Sequence, residues 1–184
     1  MTIAQMTDEE LLRSYLRKRD KEAYGQLYQR HFPALSKYIA WQVHDLERGK
    51  DLAQNIFLKL YQNPNSFDTS RNFKVWLYTV AKNRWKNELR NEAIRSKHKA
   101  LVPIETTTFI PEEKAKDERL QNLNKALEAL SENHKEVFVL KYTNGLTVNE
   151  IAEICDCSSG TVKSRLFYAM KQLKDQLKVT QTNS

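Results

Sequence analysis

Apolar residues return at intervals of three and four along most of this chain, and almost nothing interrupts them. Leu11, Leu12 and Tyr15 begin one stripe; Leu52, Ile56, Phe57 and Leu60 form another; Trp76, Leu77, Val80 and Ala81 form a third. That spacing places each set on one face of a 3.6-residue helix. Only four Gly and four Pro occur in 184 residues, too few for the frequent tight turns of an all-β chain. The expected class is all-α. With 40% hydrophobic and 29% charged residues, the chain can bury a core.

Boundary residues divide the pattern into helices. Thr7 with Glu10 three residues later makes a capping box, so a helix starts near Asp8. Ala23, Tyr24, Leu27 and Tyr28, then Leu35, Tyr38, Ile39 and Val43, fit a long helix perturbed or restarted at Pro33. The stripe from Leu52 to Leu60 is broken by Asn63-Pro64-Asn65, and a fourth helix runs from about Phe73 into a basic stretch. Over about 100–116 the period lapses: two prolines and three consecutive threonines read as a linker, so two small helical domains are expected. The helical pattern returns with Leu120, Leu123, Leu127 and Leu130. Ser131 is placed to cap a helix holding Val137, Phe138, Leu140 and Tyr142, which Asn144-Gly145 terminates.

The charge is concentrated. Residues 71–100 hold nine Lys+Arg and two acids, a local balance of +7, which equals the net charge of the whole chain. Interleaved aromatic and amide residues favour a nucleic-acid partner over a membrane, although a solvated basic face would have the same composition. No apolar run approaches the ~20 residues of a membrane span, and the first residues lack the order of a signal peptide. A cytoplasmic protein with no direct membrane insertion is the expectation. Cys155 and Cys157 are too close for an ordinary disulfide, and no second pair completes a zinc set, so no metal is expected. Phosphate loops, dinucleotide fingerprints, nucleophile elbows and HExxH are absent. The chain does not read as an enzyme, and no cofactor or small-molecule substrate is expected.

Near the C-terminus, Thr147-Val148-Asn149-Glu150 is a second capping box, opening a short helix with Ile151, Ala152 and Cys155 facing inward. Asp156 falls where a tight turn requires positive φ. Ser158 or Ser159 caps the next helix, whose Val162, Leu166, Ala169 and Leu173 share one face. The other face carries Thr161, Lys163, Ser164, Phe167, Tyr168 and Lys171, with Arg165 at its margin. Cations, hydroxyls and aromatic carbon are what a DNA-reading helix-turn-helix uses. An ordinary helical hairpin with a wetted face is the competing reading of the pattern alone.

The run LTVNEIAEICDCSSGTVKSRLFYAMKQLK resembles the last module of the sigma-70 family of bacterial RNA polymerase initiation factors. KDLAQNIFLKLY followed by FKVWLYTVAKNRWKNELR resembles that family's second conserved region. With two modules and a short linker, the chain looks like the extracytoplasmic-function (ECF) group. The resemblance implies a region-2-like helical bundle at 1–99, a flexible linker at 100–116, a region-4-like helix-turn-helix domain at 117–178 and a disordered tail at 179–184. It implies binding to core RNA polymerase through the β′ clamp helices and the β flap, with Asp51, Leu52, Gln54, Asn55 and Phe57 on the clamp-docking segment. It implies capture of the melted −10 strand by Ser70, Arg71 and Asn72 in a loop and by Asn83, Arg84, Lys86, Asn87 and Arg90 on the helix that follows. Trp76 and Leu77 read as core, and Trp85 as either a stacking or a packing residue. It implies that Lys163, Ser164, Phe167 and Tyr168 face bases of the −35 duplex, with Ser159, Thr161, Arg165 and Lys171 nearer the phosphates. Asp156 replaces the family's common turn glycine, and Tyr168 stands where many relatives carry a basic residue. Promoter DNA and an anti-sigma factor are the remaining expected partners. Two other readings are a polymerase-independent helix-turn-helix regulator with a helical sensing or dimerisation domain, and an RNA-binding enzyme subunit.

Overall fold

The computed structural model describes residues 3–64, 67, 72–96 and 118–182; all its regular structure is helical, with no strand among the described residues. The chain divides into two units, Met1–Thr107 and Thr108–Ser184, called here the front and rear modules. The linker read over 100–116 lies outside the described residues.

Among the described residues the front module has four α-helices, α1 (Asp8–Lys18), α2 (Lys21–Val43), α3 (Leu46–Gln62) and α4 (Phe73–Ser96), preceded by a 3-10 turn at Ile3–Gln5. Their starts are fixed locally. Thr7 Oγ accepts the Glu10 N–H at 3.2 Å while the Thr7 N–H donates to the Glu10 carboxylate at 2.8 Å, which completes the capping box. Asp20 accepts the N–H groups of Glu22 and Ala23, and Asp45 accepts that of Arg48. Two helices end on non-glycine residues in the left-handed region, Arg19 at φ 54° and His44 at φ 55°.

Pro33 neither restarts nor breaks α2, which is continuous from Lys21 to Val43. A proline inside a helix leaves the carbonyl four residues earlier without its N–H partner. Gln29 and Pro33 are both exposed, so that cost falls where water meets it. Leu27 and Leu35, on either side, are completely buried, and their packing holds both halves on one axis.

α3 folds back along α2, and the crossing is close: a Cβ on Gly49 would overlap the backbone of Ala40. The largest buried side chains of the module are Tyr15, Tyr38, Tyr78, Phe57 and Phe73. Each contributes roughly 1.5–3 kcal/mol by leaving water. Buried phenols need partners. Tyr15 donates to the Tyr61 carbonyl at 2.7 Å and Tyr24 to that of Phe57 at 2.8 Å. Burial, with the neighbouring Tyr15, Tyr28 and Tyr61, pushes the Tyr24 phenol above its ordinary pKa, so it keeps the proton it donates. The N-terminus is tied down by Asp8, whose carboxylate meets His31 Nε2 at 2.6 Å and Arg30 Nη1 at 3.0 Å. The His31 hydrogen bond outweighs the opposing effect of burial and holds this carboxyl below its ordinary value, with Arg30 assisting.

The rear module comprises α5 (Glu118–Glu128), α6 (Glu132–Phe138), α7 (Val148–Cys155) and α8 (Ser159–Thr182). Ser131 caps α6 as expected. The helix does not continue regularly to Tyr142: it widens into a single π turn over Val139–Thr143, closed by the Asn144 N–H and side-chain amide on the Val139 carbonyl. Gly145, at φ 64°, reverses the chain. Thr147 and Glu150 form the second capping box. In α7 the inward residues are Ile151, Ala152 and Ile154, whereas Cys155 is only half-buried. Ile154 lies one turn after Ile151 and meets the core, and Cys155, about 100° further round, sits at its edge. Val162, Leu166, Ala169 and Leu173 all face inward, and Ala169 and Leu173 close against Ala126, Leu127 and Leu130. α8 runs on through Thr182, so the tail read over 179–184 is mostly helix; its last two residues lie outside the described ones.

Candidate nucleic-acid interface

In the front module, the candidate surface is one side of α4. Asn72 caps this helix: its Oδ1 accepts the Val75 N–H at 3.1 Å and its carbonyl accepts the Trp76 N–H at 3.1 Å. Asn83, Lys86, Asn87 and Arg90 follow at helical spacing and are all exposed. They form a strip of alternating amides and cations. Arg84 is half-buried, one position off the strip. Glu88 interrupts the cations in sequence, but Arg48 of α3 holds its carboxylate at 2.8 Å. The acid is thus partly neutralised from behind and the outward field stays positive. Ser70 and Arg71 lie outside the described residues.

The aromatic and apolar residues beside this strip are also placed. Leu77 is fully buried, and Trp76 is half-buried with its ring against Phe73 and edge-on to Phe67. Both support the bundle. Trp85 is half-buried, Lys86 Nζ lies 5.9 Å from its ring centre, and its enclosed Nε1 finds no hydrogen-bond partner among the described residues. The ring thus braces a strip cation as well as packing.

α3 offers a second surface. Asp51, Gln54 and Asn55 are exposed on one face. Leu52 and Phe57 are not on it: they are 6% and 1% exposed, within the module's own core. They lie on the inward side of α3 and support the exposed face from within the bundle. The exposed face instead continues through Leu58 and Tyr61, 47% and 40% exposed. Sequence reasoning missed both. The series 51, 54, 55 and 58 could have found Leu58, since it repeats the spacing of a single face.

In the rear module, Asp156 takes the left-handed conformation (φ 50°, ψ 53°) and turns α7 into α8. Of the two candidate caps it is Ser158 that closes the start of α8, its Oγ accepting the Thr161 N–H at 3.0 Å and meeting Thr161 Oγ1 at 2.9 Å. Ser159 instead ties the helices together through Asn149 Oδ1 at 2.9 Å. These hydroxyls are already engaged and orient the helix. Lys163, Ser164, Phe167, Tyr168 and Lys171 are exposed on the side opposite the core, Phe167 and Tyr168 by 65% and 53%. Large rings so placed bury little of their surface in the module and are available to a partner. Arg165, half-buried, lies with Nη1 3.9 Å from Cys157 Sγ. Both cysteines are free thiols, and no group of metal-ligating side chains gathers among the described residues. No described helix is long and apolar enough to cross a membrane.

A cationic helix in one helical module and an outward-facing second helix of a helix-turn-helix in the other define a two-module DNA-binding protein of sigma-70 type. Residues 27–94 match the family described as Sigma-70 region 2, and residues 120–173 match Sigma-70, region 4. The chain is 32% identical over 154 residues to the ECF RNA polymerase sigma factor SigL of Mycobacterium tuberculosis, covering 80% of this chain and 85% of that one. It is 29% identical over 184 residues to the ECF RNA polymerase sigma-E factor of Escherichia coli, covering 94% and 95%. Among solved structures it is similar to the sigma factor RpoE of Bartonella quintana, determined in complex with the anti-sigma factor NepR, with a TM-score of 0.72, 28% identity and coverage of 86% and 98%. The chain belongs to the ECF sigma factors, which are transcription initiation factors.

Proposed function

We propose that this factor binds core RNA polymerase in the cytoplasm and directs it to promoters that carry two separate elements. α8 reads the −35 duplex with Lys163, Ser164, Phe167 and Tyr168, while Thr161, Ser159, Arg165 and Lys171 position it on the backbone. The α4 strip, with Asn72 and the adjoining Ser70 and Arg71, receives the melted −10 strand; amides serve unpaired base edges and the cations Arg84, Lys86 and Arg90 follow the phosphates. The face of α3 carrying Asp51, Gln54 and Asn55 docks on the β′ clamp helices, and the rear module engages the β flap. The bond-making chemistry belongs to the polymerase. An anti-sigma factor that covers these surfaces is the expected regulator, as NepR is the partner of the Bartonella RpoE.

The observation that carries this reading is the separation of chemistries: exposed rings and cations on α8 in the rear module, exposed amides and cations on α4 in the front one. Neither surface is large, so specificity requires both to be tethered on one polymerase, which raises the effective concentration of the second contact. Run-off transcription tests it. Core enzyme with this factor should initiate from a subset of promoters of its own genome. Neutralising Arg84, Lys86 and Arg90 to Gln should abolish opening of the duplex while leaving polymerase binding intact, and lower the salt dependence of strand binding by about two in log–log slope. Tight binding to a palindrome without polymerase would establish the regulator reading in its place.

A further inference from the structure

The −35 surface has an anchor outside the recognition helix. His134, in α6, lays its imidazole against Tyr168 of α8 with ring centres 6.2 Å apart and planes 23° apart. Tyr168 in turn meets Phe167 edge-on at 5.5 Å and 78°. The three rings form a ladder from a half-buried anchor to the two most exposed aromatic side chains of the helix.

Three features make the first rung a device for holding Tyr168. Successive residues on a helix point about 100° apart, so Phe167 and Tyr168 cannot both occupy the middle of the outward face and lie on opposite flanks of it. Tyr168 falls on the flank where α6 packs against α8. The anchor's backbone is held in the α6 cap, where the His134 amide N–H donates to Ser131 Oγ at 3.4 Å. Finally, the imidazole is not retained there by Nδ1, which is enclosed and has no hydrogen-bond partner among the described residues. A histidine whose enclosed nitrogen bonds to nothing is used for its ring face. A stacked arrangement at this separation is favourable, and a ring held before DNA arrives does not have to be ordered on binding.

We propose that His134 is a positioning residue for promoter recognition: by stacking on Tyr168 it sets the orientation in which that ring meets one base step of the −35 duplex. This rests on the assignment of α8 as the −35 reader. A basic side chain at position 168 would find the backbone by charge alone; a tyrosine must be aimed, and His134 does the aiming.

The test uses holoenzyme reconstituted with core RNA polymerase and a pool of promoter duplexes randomised across the −35 element, with the bound fraction sequenced. Tyr168→Ala locates the base position that Tyr168 reads, and Lys163→Ala locates an independent one. His134→Leu keeps the volume of the anchor and removes its π face; His134→Phe keeps the face. The expected result is that His134→Leu lowers discrimination about three- to tenfold at the Tyr168 position, the range corresponding to one lost aromatic pair. Discrimination at the Lys163 position stays unchanged, and His134→Phe retains both. If His134→Leu preserves the Tyr168 preference, or flattens every position alike as a merely structural defect would, or if His134→Phe behaves as Leu does, the proposal is overturned. A wild-type holoenzyme that selects no −35 motif, or a Tyr168→Ala variant that changes no position, removes the assignment of α8 itself before His134 is tested.

Discussion

In the front module the largest fully buried side chains are aromatic and the α4 strip presents amides and cations; in the rear module the fully buried side chains are aliphatic and α8 presents two large rings to solvent. Tyr15, Tyr38, Tyr78, Phe57 and Phe73 are all less than 2% exposed, whereas Phe167 and Tyr168 stand more than half in water. Under the proposed function, in which α8 meets a duplex and α4 a melted strand, the difference matches what each partner requires. A duplex presents a groove whose floor rewards projecting side chains with apolar contact. A melted strand brings its own aromatic surfaces and unsatisfied edges, so a protein that receives it needs a stiff platform of donors and cations more than projecting rings. Stiffness requires a large core, and the front module has one. The rear module is small and relies on caps and turn geometry to fix the angle between α7 and α8.

This contrast predicts where each module is vulnerable. The largest effect should come from Phe57→Ala. Its ring is enclosed by Tyr24, Tyr28 and Phe32, and truncation should cost the front module about 3–5 kcal/mol through lost burial and a residual cavity. All three tryptophans, Trp41, Trp76 and Trp85, belong to this module, so their emission during urea denaturation reports it alone. A small change would mean that Phe57 acts at the surface after all, and that the front module is not the rigid partner of the pair.

The caps test the other side of the comparison. Thr7 and Thr147 make the same capping box with the same geometry, and Thr→Ala at either removes about 1 kcal/mol. The consequence should differ. α1 is also fastened by Asp8 to His31 and Arg30 and buries Leu11, Leu12 and Tyr15. α7 has eight residues, and the three side chains it buries, Ile151, Ala152 and Ile154, are together smaller than those of α1. Thr147→Ala should therefore shift a phase of the circular-dichroism melt that tryptophan emission does not follow, and should weaken −35 discrimination. Thr7→Ala should move the tryptophan transition slightly and leave −35 discrimination unchanged. Coincident shifts for both variants would show that the modules melt as one unit.

These same residues show what was legible in the sequence. Capping boxes, the Ser131 cap, the positive-φ position at Asp156 and the inward series Val162, Leu166, Ala169 and Leu173 depend on neighbours within a few positions, and all were readable. What sequence missed depends on which helices meet. Nothing near Gly49 announces that its missing Cβ makes room for Ala40. The continuity of α2 through Pro33 is decided by packing on both sides, which overrides the local preference. Leu52 and Phe57 are buried as their apolar stripe implies, but that the stripe meets α2 is set by the crossing. The pairing of His134 with Tyr168 joins residues 34 positions apart in sequence and has no local signature. The outward placement of Lys86, Arg90, Lys163 and Phe167 was legible for the same reason as the caps: an exposed face is defined by the helix's own period once its buried face is known.

The smallest predicted effect isolates backbone geometry from charge at the turn. Asp156 holds the left-handed conformation at φ 50°, which costs an L-residue about 1 kcal/mol and an aspartate somewhat less. It also places a negative charge at the C-terminus of α7, where the helix dipole disfavours it. Glycine removes both costs but gains freedom in the unfolded chain, so Asp156→Gly should stabilise the rear module by only about 0.5 kcal/mol. Asp156→Asn separates the two contributions, since asparagine tolerates the same φ without the charge. If Asn matches Gly in the melt, the dipole is the larger liability; if Asn matches wild type, the backbone is. In either case both variants should bind duplex more tightly at low salt and equally at high salt, because a screened carboxylate near phosphates acts through the field and not through the shape of the turn. Loss of −35 discrimination in Asp156→Gly alone would mean that this strained turn is what holds α8 at its angle, and that the rear module depends on rigidity as much as the front one does.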